Sequence, residues 1–137
     1  MLYEAKISYK TLNDDGQEVL RKEQYVVDNC ECFAQVEEKM YEAFNYNHYK
    51  ETDVTDIKRS RIKEIANGRD SVDERLFMAE VQDTFTGDDG TEKELKYKIL
   101  FFALNIESAM GFINQYIKQG YDMSLVSLKQ TKFIDVL

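Results

Sequence analysis

The chain has 137 residues, enough for one domain or two intimately packed half-domains, and is 43% hydrophobic and 12% aromatic, which excludes a chain disordered by composition. A formal net charge of −8 works against binding to nucleic-acid backbones unless the basic residues gather on one face. No apolar run reaches the roughly 18–20 residues that a membrane helix needs, and the opening residues lack the apolar core of a signal peptide. A cytoplasmic protein is therefore expected, and its two cysteines fit a compartment that keeps thiols reduced.

The chain opens with Tyr3, Ala5, Ile7 and Tyr9 alternating with Glu4, Lys6, Ser8 and Lys10, the pattern of a half-buried strand. Asn13-Asp14-Asp15-Gly16 predicts a hairpin turn, with glycine free to take positive φ. A second strand is expected through about residues 19–27. Phe33, Val36, Met40, Ala43 and Phe44 then fall at helical spacing, and a last strand is expected near residues 54–65. The charged stretch 66–76 reads as a linker.

The same order follows again. Phe77, Ala79 and Val81 alternate, Gly87-Asp88-Asp89-Gly90 predicts a second turn, and a strand is expected through about residues 93–101. Asn105 is placed to cap a helix whose inner face is Ala109, Phe112, Ile113, Tyr116 and Ile117, with Gly120 at its end. A final strand is expected near residues 125–136.

The two halves correspond at a fixed offset. Gly16 and Gly90 lie 74 positions apart, and at that spacing Tyr3 meets Phe77, Ala5 meets Ala79, Ile7 meets Val81 and Lys22 meets Lys96. Toward the end of each half the offset becomes 71, where Val54 meets Leu125, Ile57 meets Leu128 and Lys58 meets Lys129. The expectation is an α+β fold made by tandem duplication of a ββαβ unit, with residues 1–65 and 77–137 as the two copies packed as one domain. A right-handed crossover through each helix sets the strand order 2-1-3 in each copy. Together they would give a mostly antiparallel sheet of about six strands with two helices on one face.

Four stretches carry a family resemblance: Tyr3-Glu4-Ala5-Lys6-Ile7, Tyr25-Val26-Val27-Asp28, Val54-Thr55-Asp56-Ile57-Lys58 and Ile134-Asp135-Val136. In these the chain resembles an uncharacterised duplicated domain family of Bacteroidota and their phages. The resemblance spans essentially the whole chain and implies no established activity. It implies a bacterial or phage setting, in the host cytoplasm.

The candidate chemical residues yield to simpler readings. Cys30 and Cys32 supply two ligands where a structural zinc site needs four. At offset 74 they correspond to Leu104 and Ile106, so both are expected to pack as small hydrophobes. His48 is the only histidine, lies in a stretch that the second half shortens, and is expected in a surface loop. Asp14-Asp15 and Asp88-Asp89 lack the twelve-residue pattern of a calcium loop and belong to the hairpin turns.

The basic residues Lys58, Arg59, Arg61 and Lys63, echoed by Lys129 and Lys132, are the one cluster that could bind. Tyrosine and cations on an open sheet can hold single-stranded nucleic acid through stacking and phosphate contacts. Alternation places Lys6, Lys10, Lys22, Lys58, Lys96, Lys98 and Lys129 on the face away from the helices, together with Glu4, Asp56, Glu80 and Glu94. That mixed surface favours a solvated face or a protein contact over nucleic acid. The sequence thus predicts a non-enzymatic binding or adaptor protein without cofactor or metal, contacting a protein partner or a second copy through its sheet face or strand edges. Single-stranded nucleic-acid binding is the alternative, and no membrane partner is expected.

Overall fold

The computed structural model describes residues 1–46 and 50–137. Their elements are β1 (Tyr3–Leu12), β2 (Glu18–Val27), α1 (Phe33–Tyr46), β3 (Lys50–Arg59), β4 (Ile62–Ile65), β5 (Arg75–Thr86), β6 (Glu92–Ala103), α2 (Ile106–Lys118), β7 (Met123–Gln130) and β8 (Phe133–Val136). The fold is α+β, and the chain divides into two compact units. One comprises Met1–Ser60 with Lys132–Leu137, the other Arg61–Thr131.

Two mixed four-stranded sheets, ordered β3-β1-β2-β8 and β4-β6-β5-β7, replace the expected single sheet of about six strands. The order 2-1-3 is present in each as β2-β1-β3 and β6-β5-β7. The difference lies in the last strands. Each expected long strand breaks in two, at Ser60-Arg61 and at Thr131-Lys132, and its second piece pairs in the other sheet. β8 lies parallel to β2, with Tyr25 opposite Asp135 and Val26 opposite Val136. β4 lies parallel to β6, with Glu64 opposite Ile99 and Ile65 opposite Leu100.

In the first unit the inward residues of β1 are buried as alternation requires, and Tyr3, Ala5, Ile7 and Tyr9 form a core with Tyr25, Val27, Val36, Met40 and Phe44. Each large apolar side chain buried in this way contributes about 1.5–3 kcal/mol. Phe33 departs from expectation: its first-turn position leaves it 51% exposed, with its ring edge-on to Tyr3. In the second unit Phe77, Ala79, Val81, Ile99, Phe101, Ala109 and Ile113 form the equivalent core.

The turns form as read. Gly16 and Gly90 have φ of 77° and 80°. Their N–H groups donate to the carbonyls of Asn13 and Gly87. In the first turn the organising side chain is Asn13, whose Oδ1 accepts from the N–H groups of Asp15 and Gln17. In the second it is Asp89, which accepts from the N–H and hydroxyl of Thr91. That hydroxyl holds the Asp89 carboxyl below its ordinary value.

Asn105 caps α2, its Oδ1 accepting from the Ser108 N–H at 2.8 Å. Gly120 follows the C-cap residue Gln119, and its N–H donates to the Ile117 carbonyl. A Cβ at Gly120 would come within 2.6 Å of the Met123 side chain, which would have to shift to admit one.

Of the expected linker 66–76, residues 66–74 form a loop, and Arg75 and Leu76 already belong to β5. Asn67 pairs with both backbone groups of Phe102, and Arg69 donates to the Glu74 carbonyl while its guanidinium lies 4.7 Å from the Phe102 ring centroid.

Met40 and Ile113 are each fully buried beneath their helix. Met40→Ala and Ile113→Ala should each lower unfolding free energy by about 2–5 kcal/mol, measured by urea denaturation.

Candidate functional site

The strand registers place the charged residues on the faces that alternation assigned. Glu4 lies opposite Lys58, Lys6 opposite Asp56 and Ser8 opposite Lys22 on one face. Glu80 lies opposite Lys98, Gln82 opposite Lys96 and Met78 opposite Lys129 in the other sheet. These faces are not uniformly solvated, however. Val26, Leu76, Leu100 and Phe102 share them near the strand ends, and all four are buried.

The six predicted basic residues do not form one patch within either unit. Lys58 and Arg59 are exposed on the terminal strand β3, whereas Lys132 precedes β8 at the opposite end of that sheet. Lys58 lies 3.8 Å from Glu4, which also accepts from the Ser60 hydroxyl at 2.9 Å. In the second unit Lys63 lies on β4 and Lys129 on β7, the two ends of a four-stranded sheet. Three strand spacings, about 14 Å, separate them. Arg61 is exposed ahead of β4. The Lys63 ammonium sits 3.9 Å from the Tyr97 ring centroid, a cation–π contact. Locally, then, two of the six are engaged by a carboxylate or a ring.

The cysteines divide. Cys30 is buried in the first core as expected, but Cys32 is exposed. Cys32 immediately precedes α1, and its carbonyl accepts from the Val36 N–H at 3.3 Å, as the Asn105 carbonyl accepts from Ala109 ahead of α2. Counted from the equivalent strand positions Val27 and Phe101, which pair with Tyr3 and Phe77, α1 starts one residue later than α2, so Cys32 occupies the place of the helix cap Asn105 rather than that of an aliphatic residue. His48 lies outside the described residues. Among the described residues no group of three or more His, Cys, Asp or Glu side chains is placed to hold a metal, and no helix is long and apolar enough to cross a membrane.

Two clusters that sequence reasoning missed join tyrosine to glutamate. In the first unit the hydroxyls of Tyr9 and Tyr25 both donate to Oε1 of Glu23, at 2.7 and 3.0 Å, with the Phe44 ring packed against both tyrosines. In the second the Tyr116 hydroxyl donates to Oε1 of Glu64 at 2.5 Å. Burial, reinforced by the neighbouring carboxylate, raises the pKa of Tyr25 above the ordinary 10.0. Burial and the bond to Glu64 do the same for Tyr116. The available signal was Tyr116 itself, which helical spacing assigned to the core stripe without a partner for its hydroxyl.

Tyr116 and Glu64 face a groove of about 480 Å³ between β4 and α2, lined also by Ile65, Ala66, Phe112, Gln115 and Gln119. The corresponding groove beside α1, about 560 Å³, is lined by Lys39, Glu42, Ala43 and Leu137. The groove between β4 and α2 offers aromatic walls, amides and, among the described residues, one charged lining side chain, Glu64. It can bind polar ligands, and its groups make no nucleophile–base constellation.

The whole chain, residues 1–137, matches the model of a family described as a Domain of unknown function (DUF4494). The chain belongs to this family. No curated protein and no solved structure matches it.

The raised tyrosine pKa values predict alkaline sensitivity. A phenol whose folded pKa exceeds its unfolded value contributes stability that is fully present below about pH 10, the unfolded value. That stability is lost as pH rises from there toward the folded value. Unfolding free energy from denaturant titrations should therefore fall above about pH 10, and Tyr25→Phe should flatten the fall.

Proposed function

We propose that this protein is a non-enzymatic binding or adaptor protein that engages a protein partner by strand addition at β7. The observation that carries this reading is the character of that strand. β7 ends its sheet, with β5 as its one neighbour, and reads Met-Ser-Leu-Val-Ser-Leu-Lys-Gln with a single charge. Val126 is 46% exposed there. A long terminal strand with few charges is the kind of edge to which another chain adds.

The other terminal strands offer less. β4 and β8 have four residues each, and β3, Lys-Glu-Thr-Asp-Val-Thr-Asp-Ile-Lys-Arg, carries charge at six of its ten positions. The ladder gives the direction of the free groups. The Thr131 N–H donates inward to Leu76 and the Thr84 N–H donates to Asp122, so alternation turns the N–H groups of Leu128 and Gln130 outward.

The matching strand order and turn geometry of the two units support their origin by tandem duplication of a ββαβ unit, with the last strand of each exchanged. The family resemblance supports a bacterial or phage setting and a cytoplasmic site of action. The net charge of −8 weighs against the nucleic-acid reading.

A photo-crosslinking amino acid at position 126, compared with one at Thr55 on β3, tests the edge in native cells. Protein adducts, whether to a partner or a second copy, should form from position 126 and not from 55. Adducts only from 55, or equally from both, would remove the β7 assignment. A labelled single-stranded oligonucleotide at low salt should show no binding at about tens of micromolar protein, where phosphate contacts are strongest.

A further inference from the structure

We propose that the groove between β4 and α2 binds an arginine side chain presented by an extended segment of a protein partner. The inference rests on the reading above only in taking the partner to be a protein, and it concerns a different edge of the same sheet.

The geometry matches arginine group by group. The groove volume of about 480 Å³ holds a side chain together with adjoining backbone. The bond from Tyr116 to Oε1 fixes the Glu64 carboxylate, and Oε2 takes no hydrogen bond among the described residues. A guanidinium fork can meet that carboxylate edge while its remaining N–H groups reach the Gln115 and Gln119 side-chain carbonyls.

Phe112, whose ring stacks on Phe101 at 4.6 Å between centroids, and Tyr116 line the groove with aromatic surface against which a flat cation packs. A lysine ammonium is a point charge and makes less use of a carboxylate, two amides and two rings spread around one groove. The neighbouring cation, Lys63, sits over the Tyr97 ring, and the net charge of −8 favours a cationic guest.

An extended segment follows from the position of the groove. It runs along β4, the terminal strand of its sheet, whose Ile65 and the following Ala66 line the groove. A peptide laid along this edge would carry a side chain into the groove by strand alternation. The groove beside α1 serves as an internal contrast. There Ala43 stands where α2 has Tyr116, Glu42 where it has Gln115, and the lining carries both Lys39 and Glu42.

The test is an amide-resolved NMR titration of the full chain with the peptide acetyl-Thr-Val-Arg-Val-Thr-amide, alongside the same peptide with citrulline, the neutral isostere, or lysine in place of arginine. Saturable shifts are expected in residues 62–66 and 112–119, with affinity for the citrulline and lysine peptides lower by about tenfold or more. Glu64→Gln should reduce the arginine peptide to the citrulline level while the rest of its spectrum reports an intact fold. Lys39→Ala should leave binding unchanged.

Equal affinity for the arginine and citrulline peptides, or shifts mapping away from the groove, would overturn the proposal. So would an unaltered Glu64→Gln variant. Comparable lysine binding would overturn the assignment to arginine. Adducts from position 126 report on β7 alone, so the two readings can fail separately.

Discussion

Each sheet is completed by a short parallel strand laid along the outer side of its second strand, and the rest of the structure depends on that pairing. In the first unit the Leu137 N–H donates to the Val26 carbonyl and the Asp28 N–H donates to the Leu137 carbonyl. In the second the Ala66 N–H donates to the Leu100 carbonyl. β2 and β6 thereby become interior strands. Their sequences suit the position: Tyr25-Val26-Val27 and Ile99-Leu100-Phe101-Phe102-Ala103 are continuous apolar runs, buried on both faces. A strand covered on one face only would alternate. Each pairing also creates the groove between the added strand and the helix, and it leaves the longer strands β3 and β7 at the other ends of their sheets.

That distribution of edges makes the two units chemically unequal although their strand order is alike. Both terminal strands bear a register shift at the same point, between Lys6 and Ile7 opposite β3 and between Glu80 and Val81 opposite β7. A bulge twists an edge and blunts its pairing. β3 adds a second shift and dense charge, with Glu51 drawing the Lys10 ammonium to 2.8 Å and holding the lysine pKa up. β7 has the single shift and little charge. One edge is thus protected twice and the other once.

Much of the local structure was legible because it is encoded locally. Alternation in Tyr3–Tyr9 set the buried face, the turn glycines set both hairpins, and Asn105 set the start of α2. The sheet count was not legible, and the reason is physical. In a parallel pairing between residues distant in sequence, no neighbouring residue records the partner. Ile57, Ile62 and Ile65 read as one strand whether or not the chain changes sheet at Ser60-Arg61. The run Leu100-Phe101-Phe102 did hold the clue, since consecutive buried residues imply cover on both faces. Cys32 was misplaced for a different reason: one extra residue before α1 moved it from an aliphatic position to a cap. The six basic residues are exposed, but within the first unit Lys58 and Lys132, and within the second Lys63 and Lys129, lie at opposite ends of their sheets. The groove was hidden because Tyr116 and Glu64 lie 52 residues apart.

The differences between equivalent positions carry the functional argument further than the shared fold does, since a scaffold constrains function less than the side chains placed on it. Around α1 Glu31 and Glu37 are exposed, while the places they occupy are taken around α2 by Leu104 and Met110, which are 54% and 41% exposed. Ala43 in one groove becomes Tyr116 in the other, and with it comes a fixed carboxylate. An exposed apolar surface gains nothing for a folded chain in water, and a half-buried tyrosine bonded to a glutamate is not needed where alanine serves in the same architecture. Both departures fall in the second unit, which also carries the less protected edge. On the binding reading proposed above, the unit formed by residues 61–131 is therefore the one assigned to recognition.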